Sequence, residues 1–360
     1  MMIKYMNSFP KGPEEITPSW LSDILDANVV SFDVNVLWDS GKGPIHQNAL
    51  IILENVKYTD REEPTSFALK VFFDDGILRR SSSEIYFYRH LQSTLTSNGI
   101  VTPKIYAMVE DEGSWCILME NLQTEWTSFH LCFDEQHVLN LLEMIRTLHR
   151  TTSNLDLSDA MFNPFGGPTG DFLSYFQKMK SYLPRVVDML AVNEVLTVTS
   201  HPGYKKWIDS WTTLINDNNE TKLFVNIQQR LAAFPQSLIH LDLHHHNILW
   251  RDALNGPEYV VFDFETIRRG PIGCDLVVFL CSCPRIKVKD LIDSLSDDER
   301  NSTLLSFVIK GATLAHHLME VPLRNVLSKF LVMMDIYENF NVADLVHPWR
   351  EQTFRSDDER

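Results

Sequence analysis

Residues 238–250 read LIHLDLHHHNILW, and after a polar turn residues 259–265 read YVVFDFE. The apolar runs in both segments are short and bounded by polar residues, which is typical of buried β-strands. A polar loop with Asp242 and Asn247 therefore joins the first two strands. The third strand is predicted to end at an acidic pair whose first member is Asp263.

These polar residues are the types that phosphoryl transfer requires. A carboxylate at Asp242 can face an attacking hydroxyl, while the oxygens of Asn247 and Asp263 can hold magnesium. Glu265 lies two residues beyond Asp263 and on the same side if the strand continues. It could then bind a second metal or a bridging water, or it could cap the following turn.

Length and composition bound the class of protein. The chain has 360 residues, 44% of them hydrophobic, which is enough for two lobes with a real core. A net charge of −16 argues against a nucleic-acid partner, since phosphate binding needs clustered Lys and Arg. The negative charge is compatible with a cationic substrate or simply with solubility.

Targeting signals and cysteine usage point to a cytoplasmic protein. The five cysteines are scattered without a CxxC pair, so no disulfide framework or cysteine zinc site is expected. Residues 1–10 lack a long apolar core, and the longest apolar run, near residues 276–281, is too short to span a bilayer.

Two strand-like runs near the start of the chain flank a glycine-containing turn. Residues 29–38 and 49–56 form the runs, and Gly41 and Gly43 lie between them. Such a turn can lay backbone N–H groups over phosphate, or it can be an ordinary hairpin.

Lys70 and Glu84 each allow two interpretations. Lys70 is flanked by apolar residues in the strand-like run 66–73, so it is either an edge-strand lysine or an ammonium that reaches nucleotide phosphates. A helix is predicted to begin at Ser81. Glu84 then either completes a capping box with Ser81 or reaches across to fix Lys70.

The organisation changes after a second predicted hairpin. Residues 1–119 are predicted to form an N-terminal lobe, 120–125 a hinge, 126–355 a helical C-terminal lobe, and 356–360 a tail. Helical periodicity from residue 134 onwards supports this division.

Residues 240–247, HLDLHHHN, resemble the H-G-D-x-x-x-x-N catalytic loop of the aminoglycoside phosphotransferase and choline kinase superfamily. Residues 262–265 resemble its metal strand, and Gly270-Pro271 with Asp275-Leu276 resemble the segment that follows. Further matching segments are Ala68-Leu69-Lys70 with its helix partner Glu84, the hinge at residues 118–122 and Leu148-His149-Arg150. Residues 17–21 also resemble the ecdysteroid kinase-like branch.

The resemblance implies an α+β, two-lobed protein-kinase-like fold with a small, mainly antiparallel sheet in the N-lobe and a larger helical C-lobe. It also implies ATP and Mg2+ as cofactors. In the implied roles, Asp242 is the catalytic base, and the metal is held by Asn247, Asp263 and Glu265. Lys70, oriented by Glu84, contacts the nucleotide phosphates, and Gly41 and Gly43 lie over them. The adenine is bordered by Glu120 and Leu122. Leu241 departs from the family, which usually has Gly there.

The expected function is an ATP-dependent small-molecule kinase. It would transfer the γ-phosphate to a hydroxyl of an amino alcohol, an aminoglycoside-like or another natural-product alcohol. A non-catalytic nucleotide-binding pseudokinase or scaffold is the alternative from another class. A protein kinase is disfavoured, because no D-F-G and no A-P-E segment follows Asp263.

Aromatic residues and histidines allow further interpretations. Zinc at the loop histidines is disfavoured because no distant Cys/His partner has suitable spacing. His240 is expected to bond the backbone and hold the loop. Trp207 and Trp211 share one helix face, as either a core stripe or an aromatic wall for a cation.

Overall fold

A computed structural model describes residues 10, 13–39, 48–62, 64–72, 79–111, 114–129, 135–156, 170–192, 196–216, 220–254, 256–282, 287–320, 327–340 and 342. The chain divides into two compact units. One comprises residues 1–129 with 246–267, and the other comprises residues 130–245 with 268–360. The hinge predicted at residues 120–125 stays a prediction.

The first unit contains a five-stranded antiparallel sheet in the order β1-β2-β3-β5-β4. Its apolar residues alternate along the strands and join the first helix, α1, in one core. The bounds are α1 Pro18–Leu25, β1 Val29–Asp39, β2 Asn48–Tyr58, β3 Phe67–Phe72, β4 Ile105–Asp111 and β5 Ser114–Glu120. The strands predicted from alternation are therefore present, with ends shifted by a few residues.

Helix α1 begins with a capped first turn. The Thr17 hydroxyl accepts a hydrogen bond from the Trp20 backbone N–H at 3.2 Å, and Pro18 occupies the first helical position. Trp20, Leu21 and Ile24 are buried on the face that packs into the core.

The helix that carries Glu84 starts earlier than predicted. Helix α2 spans Arg79–Tyr86, so Ser81 already lies inside the first turn and is not its N-cap. A π-helical turn, Phe87–Leu91, leads into α3, Gln92–Ser97. This register leaves Glu84 buried at 1% exposure and excludes the capping-box interpretation.

A second antiparallel sheet in the first unit carries the acidic segment. It consists of β6 Thr127–Ser128, β8 Ile248–Ala253 and β9 Gly256–Val261. The prediction that this last strand runs to Asp263 and Glu265 was wrong. Asp263 has φ 66°, a left-handed conformation that ends the extended backbone, and Glu265 lies in a 3-10 helix, Phe264–Thr266.

The second unit is mainly helical. Several of its helices are amphipathic, and α9 is buried all round. Its elements are α4 Glu135–Thr152, α5 Gly170–Val192, α6 Leu196–Thr199, α7 Pro202–Asn216, α8 Glu220–Ala232, β7 Ser237–Ile239, β10 Arg268–Gly270, α9 Gly273–Cys281, α10 Val288–Asp293, α11 Asp297–Glu320 and α12 Leu327–Asn339. Strands β7 and β10 pair antiparallel. The predicted combination of a small antiparallel sheet and a larger helical part is confirmed.

Packing within this unit settles one sequence interpretation. Trp207 and Trp211 are both 0% exposed, so they form part of the core. Within the described part of the chain, no helix is long and apolar enough to cross a membrane.

Helices α9 and α11 touch through backbone at Gly273. A β-carbon there would lie 2.2 Å from the Ser302 carbonyl carbon and 2.3 Å from the Thr303 backbone nitrogen. Real β-carbons do not approach backbone this closely, so glycine is required for the two helices to meet.

We expect Gly273→Ala to lower the free energy of unfolding by about 3 kcal/mol, because the clash is with backbone and no side-chain rotation relieves it. Denaturant titration measures the change. Gly311→Ala in α11 is the matched control. Its β-carbon would meet the flexible Met333 side chain at 3.2 Å, so the cost should be clearly smaller. Equal stability of Gly273→Ala and the wild type would contradict the close approach.

Candidate functional site

Lys70 lies on a central strand and binds two carboxylates. Strand β3 has β2 and β5 as neighbours, so Lys70 is not an edge-strand residue. Its ammonium donates to Glu84 Oε2 at 2.7 Å and to Asp263 Oδ1 at 2.5 Å. The structure thus brings together three residues that the sequence separates by up to 193 positions.

The electrostatics of this group are dominated by negative charge. Burial opposes the charged form of Lys70, but Glu84, Asp263 and Glu265 outweigh it and raise the pKa of Lys70. Burial also raises the pKa of Glu84 to about 7, and Lys70 works against that shift. Three carboxylates therefore act on one ammonium, and they leave excess negative charge at this point of the first unit.

This donor set fits a hard divalent cation. Carboxylate and amide oxygens are the ligands that magnesium prefers, and the excess of acids over the single ammonium favours a further positive charge. Asn247 is 5% exposed, and its backbone carbonyl accepts the Phe262 N–H at 3.2 Å, which ties it to the segment that carries Asp263.

Aromatic stacking fixes the segment between the two acids. The ring of Phe264 lies parallel to that of Phe87, with centroids 3.5 Å apart and planes 9° from parallel. Phe87 belongs to the π-helical turn that follows the helix of Glu84. Sequence reasoning did not single out Phe87 or Phe264. Their aromatic character alone carries no spacing signal that would pair them.

The residues predicted at the adenine are placed on the same unit. Glu120 ends β5, and its carboxylate accepts from the Lys104 backbone N–H at 3.1 Å and the Trp126 indole N–H at 3.4 Å. Leu122 packs with Trp126 and Val260 in a small apolar cluster. Gly41 and Gly43 lie outside the described residues.

The loop residues that precede Asn247 belong to the second unit, where a buried carboxylate holds them. Asp275, 0% exposed, accepts the His240 backbone N–H at 3.0 Å and the Leu241 backbone N–H at 2.7 Å. His149 Nε2 also donates to Asp275 at 3.1 Å, and its Nδ1 contacts the Ser237 hydroxyl. A carboxylate only accepts here, so His149 carries its proton on Nε2.

The backbone conformation at Leu241 explains why the family usually has glycine at this position. Its φ is 64°, in the left-handed region where a side chain costs about 1 kcal/mol. The hydrogen bond from its N–H to Asp275 holds this conformation. The result is a sharp turn directly before Asp242.

Asp242 contacts two histidines of its own unit. His244 Nε2 lies 3.4 Å from Asp242 Oδ2, and His240 Nδ1 accepts the Asp242 backbone N–H at 3.3 Å. Burial opposes ionisation of Asp242, but His244, His240 and Lys310 outweigh it and hold its pKa below the ordinary value. The side chain is 44% exposed, so an ionised and accessible carboxylate results.

The histidines of this loop contact its backbone and Asp242. His240 is 1% exposed and bonds backbone, as predicted. Among the described residues, three side chains, those of His201, Asp335 and Glu338, have ligand atoms close enough to share an ion. However, His201 Nδ1 accepts the Gly203 N–H at 3.2 Å, so Nε2 keeps its proton and donates to Asp335 at 3.0 Å. That arrangement caps α7 and does not need an ion.

The sequence matches the model of the phosphotransferase enzyme family over residues 53–299. No curated protein matches it.

Similar solved structures are kinases of small molecules. An amicoumacin kinase in complex with AMP-PNP, Ca2+ and Ami has a TM-score of 0.52 and 13% identity, over 92% of this chain and 95% of that chain. A choline kinase from Streptococcus pneumoniae has a TM-score of 0.47 and 15% identity, over 91% of this chain and 99% of that chain. A Plasmodium vivax ethanolamine kinase has a TM-score of 0.48 and 12% identity, over 93% of this chain and 92% of that chain. The likeness to the first of these confirms the predicted kinase-like fold class.

Proposed function

Because the chain belongs to the phosphotransferase enzyme family, we propose that it transfers the γ-phosphate of ATP to the hydroxyl of a small alcohol. The ion-paired group of Lys70, Glu84 and Asp263 carries this proposal. A half-buried ammonium with an excess of acids around it is suited to nucleotide phosphates together with a divalent cation. An amicoumacin kinase of similar fold was solved with AMP-PNP and Ca2+, which supports nucleotide binding.

Asp242 is the proposed base. Its carboxylate would accept the proton of the acceptor hydroxyl as the hydroxyl oxygen forms a bond to the γ-phosphorus. The bond from that phosphorus to the β–γ bridging oxygen breaks, and ADP leaves with the electron pair. The turn held by Asp275 orients Asp242 for this role.

The phosphate-side residues have complementary proposed roles. Lys70 would neutralise charge on the α- and β-phosphates, and Glu84 would fix its position. Asn247 and Asp263, with Glu265 beside them, would hold magnesium, which when bound neutralises phosphate charge. Glu120 and Leu122 would border the adenine, and Gly41 and Gly43 would approach the phosphates.

We expect magnesium-dependent conversion of ATP to ADP that requires an alcohol acceptor, and Lys70→Met is expected to raise the KM for ATP about 10-fold or more. Acceptor-dependent ADP release with and without EDTA measures both effects. The exposed Lys205 provides the control, Lys205→Met, which should leave the KM unchanged. ATP-dependent stabilisation without phosphate transfer to any acceptor would favour a non-catalytic nucleotide-binding protein instead.

A further inference from the structure

A cavity of about 800 Å³ lies within the second unit. One face of α4 lines it with Glu143, Arg146 and Arg150, and the turn before α11 and the start of that helix line another side. Its volume is in the range of small-molecule sites. Asp242 is not among its lining residues, and neither is any residue of the first unit, so the cavity is separate from the residues assigned to the reaction.

The charged groups of the cavity leave one carboxylate uncompensated. Arg146 donates two hydrogen bonds to Glu299, at 2.7 and 2.9 Å. Arg150 donates to Glu143 at 2.6 Å. The third carboxylate of the lining, that of Asp298, has no ion-pair partner among the described residues. Three carboxylates against two guanidinium groups give the lining a net negative charge, which favours a cationic ligand.

Neutral polar side chains of the lining have already used their donors. The Ser294 hydroxyl donates to the Leu291 carbonyl at 2.6 Å, and the Ser302 hydroxyl donates to the Asp298 carbonyl at 2.7 Å. The side-chain amide of Gln236 donates to two backbone carbonyls at 2.8 and 2.9 Å. These groups still offer oxygen lone pairs, so they match a ligand that donates hydrogen bonds.

The rest of the lining includes apolar surface. Five residues contribute it: Phe234, Pro235, Pro271, Ile272 and Leu295. A ligand with an apolar body gains free energy by covering such surface, whereas a bare inorganic ion does not. An organic ammonium with an apolar body therefore matches the charge, the free acceptors and the apolar surface together.

Two buried residues of the lining also belong to the network that holds the turn before Asp242. His149 and Ser237 are 6% and 4% exposed, and they contact each other. His149 Nε2 donates to Asp275 at 3.1 Å, and Asp275 accepts the backbone N–H groups of that turn. A ligand that packs on His149 and Ser237 favours the arrangement in which these contacts are formed, because that arrangement provides the surface that the ligand covers.

We propose that this cavity is a regulatory site for an organic ammonium with an apolar body, and that its occupancy stabilises the orientation of Asp242 and raises kcat. The regulatory part of this inference rests on the proposed function, because Asp242 is the base of the proposed reaction. The binding part needs no turnover and is tested first.

The binding test compares three probes with the same two-ring body and different charge: naphthylmethylamine, naphthamide and naphthoate. Calorimetric titration without nucleotide at pH 7 should show saturable binding of the amine, which is protonated there. The neutral amide should bind about 10-fold more weakly, the effect of one charge-assisted hydrogen bond. Naphthoate should not bind. An amine that does not saturate the protein, or naphthoate that binds as tightly as the amine, overturns the proposal.

Variants of the lining locate the bound amine. Ser294→Trp should abolish amine binding, because the indole occupies the cavity, and Asp298→Asn should weaken it about 10-fold. Ser181→Trp is the matched control for the first variant, since the exposed Ser181 hydroxyl also donates to a backbone carbonyl three residues earlier. Asp290→Asn, an exposed acid outside the cavity, is the control for the second. Amine binding that is equal in all four variants overturns the assignment of the cavity.

Initial rates at saturating ATP test the regulation. The amine should raise kcat about 5-fold, at the lower end of typical coupling between two sites, and leave the KM for ATP unchanged. Ser294→Trp should not respond to the amine. Competition between the amine and the acceptor alcohol would place the amine at the acceptor site and overturn the proposal. An unchanged kcat with the amine bound rejects the regulation.

The outcomes separate this inference from the proposed function. Asp298-dependent binding of the amine, with no phosphate transferred to any alcohol, supports the binding site and rejects the proposed reaction. Phosphate transfer by a protein that binds none of the three probes leaves the phosphotransferase proposal intact and rejects the regulatory site.

Discussion

Asp242→Asn is expected to lower the rate of phosphoryl transfer about 1,000-fold, within the range that a general base contributes. The amide has nearly the shape of the carboxylate but cannot take the acceptor proton. ATP binding should persist, because Lys70, Glu84 and Asp263 are untouched. The fold should persist as well, because the Asp242 side chain is 44% exposed and its carboxylate faces His244.

The pH profile adds a second criterion. His244, His240 and Lys310 hold the pKa of Asp242 below its ordinary value, so the wild-type base stays ionised throughout the neutral range. The wild-type rate should therefore not fall through loss of this charge at neutral pH, and raising the pH should not rescue Asp242→Asn, because an amide does not ionise in this range. The exposed Asp252 gives the matched control, Asp252→Asn, which should retain the wild-type rate. If Asp242→Asn transferred phosphate at near the wild-type rate, the assignment of the base would fail.

Asp275→Asn is expected to lower the free energy of unfolding by about 3 kcal/mol. The buried carboxylate accepts hydrogen bonds from several donors, whereas the amide that replaces it accepts only through its oxygen and donates through its NH₂ group. The Asp275 carboxylate receives two backbone N–H groups and His149 at distances of 2.7–3.1 Å. The new amide N–H₂ must face one of those donors, which leaves a buried N–H unpaired. Chemical denaturation followed by fluorescence measures the loss.

The same substitution should lower kcat about 100-fold, since displacing a positioned group by about 1 Å has that effect. The KM for ATP should change little, so a fall confined to kcat identifies a positioning role. Asp290→Asn on the exposed face of α10 is the control and should alter neither stability nor rate. A folded Asp275→Asn enzyme with wild-type kcat would contradict the proposed orientation of Asp242.

The sequence selects residues for the proposed site but does not predict the contacts between them. Short apolar runs bounded by polar residues locate the strands, and residue spacing with family resemblance selects Lys70, Asp242, Asn247 and Asp263. The helix that begins at Arg79 was misplaced by two residues, because serines near the start of a helix are equally suited to an N-cap and to the first turn.

Other features depend on distant residues and therefore have no local signal. The left-handed backbone at Asp263 ends β9 in a run that still alternates as a strand would, and Glu265 consequently lies in a 3-10 helix. The partners of Asp275 are separated from it by 35 and 126 positions. A buried carboxylate is visible in a sequence only as one acid beside an apolar run, with no indication of what it will bind.

The hydrogen bonds to Asp275 also constrain when the enzyme can become active during folding. His149 lies on α4, the loop follows β7, and Asp275 lies on α9, so three separately formed elements must meet before the turn at Leu241 is held. Contacts over such sequence distances close late, after local helices have formed. A partly folded chain can thus hold its helices while Asp242 is still unoriented, and catalytic competence should appear with the last tertiary contacts of the second unit.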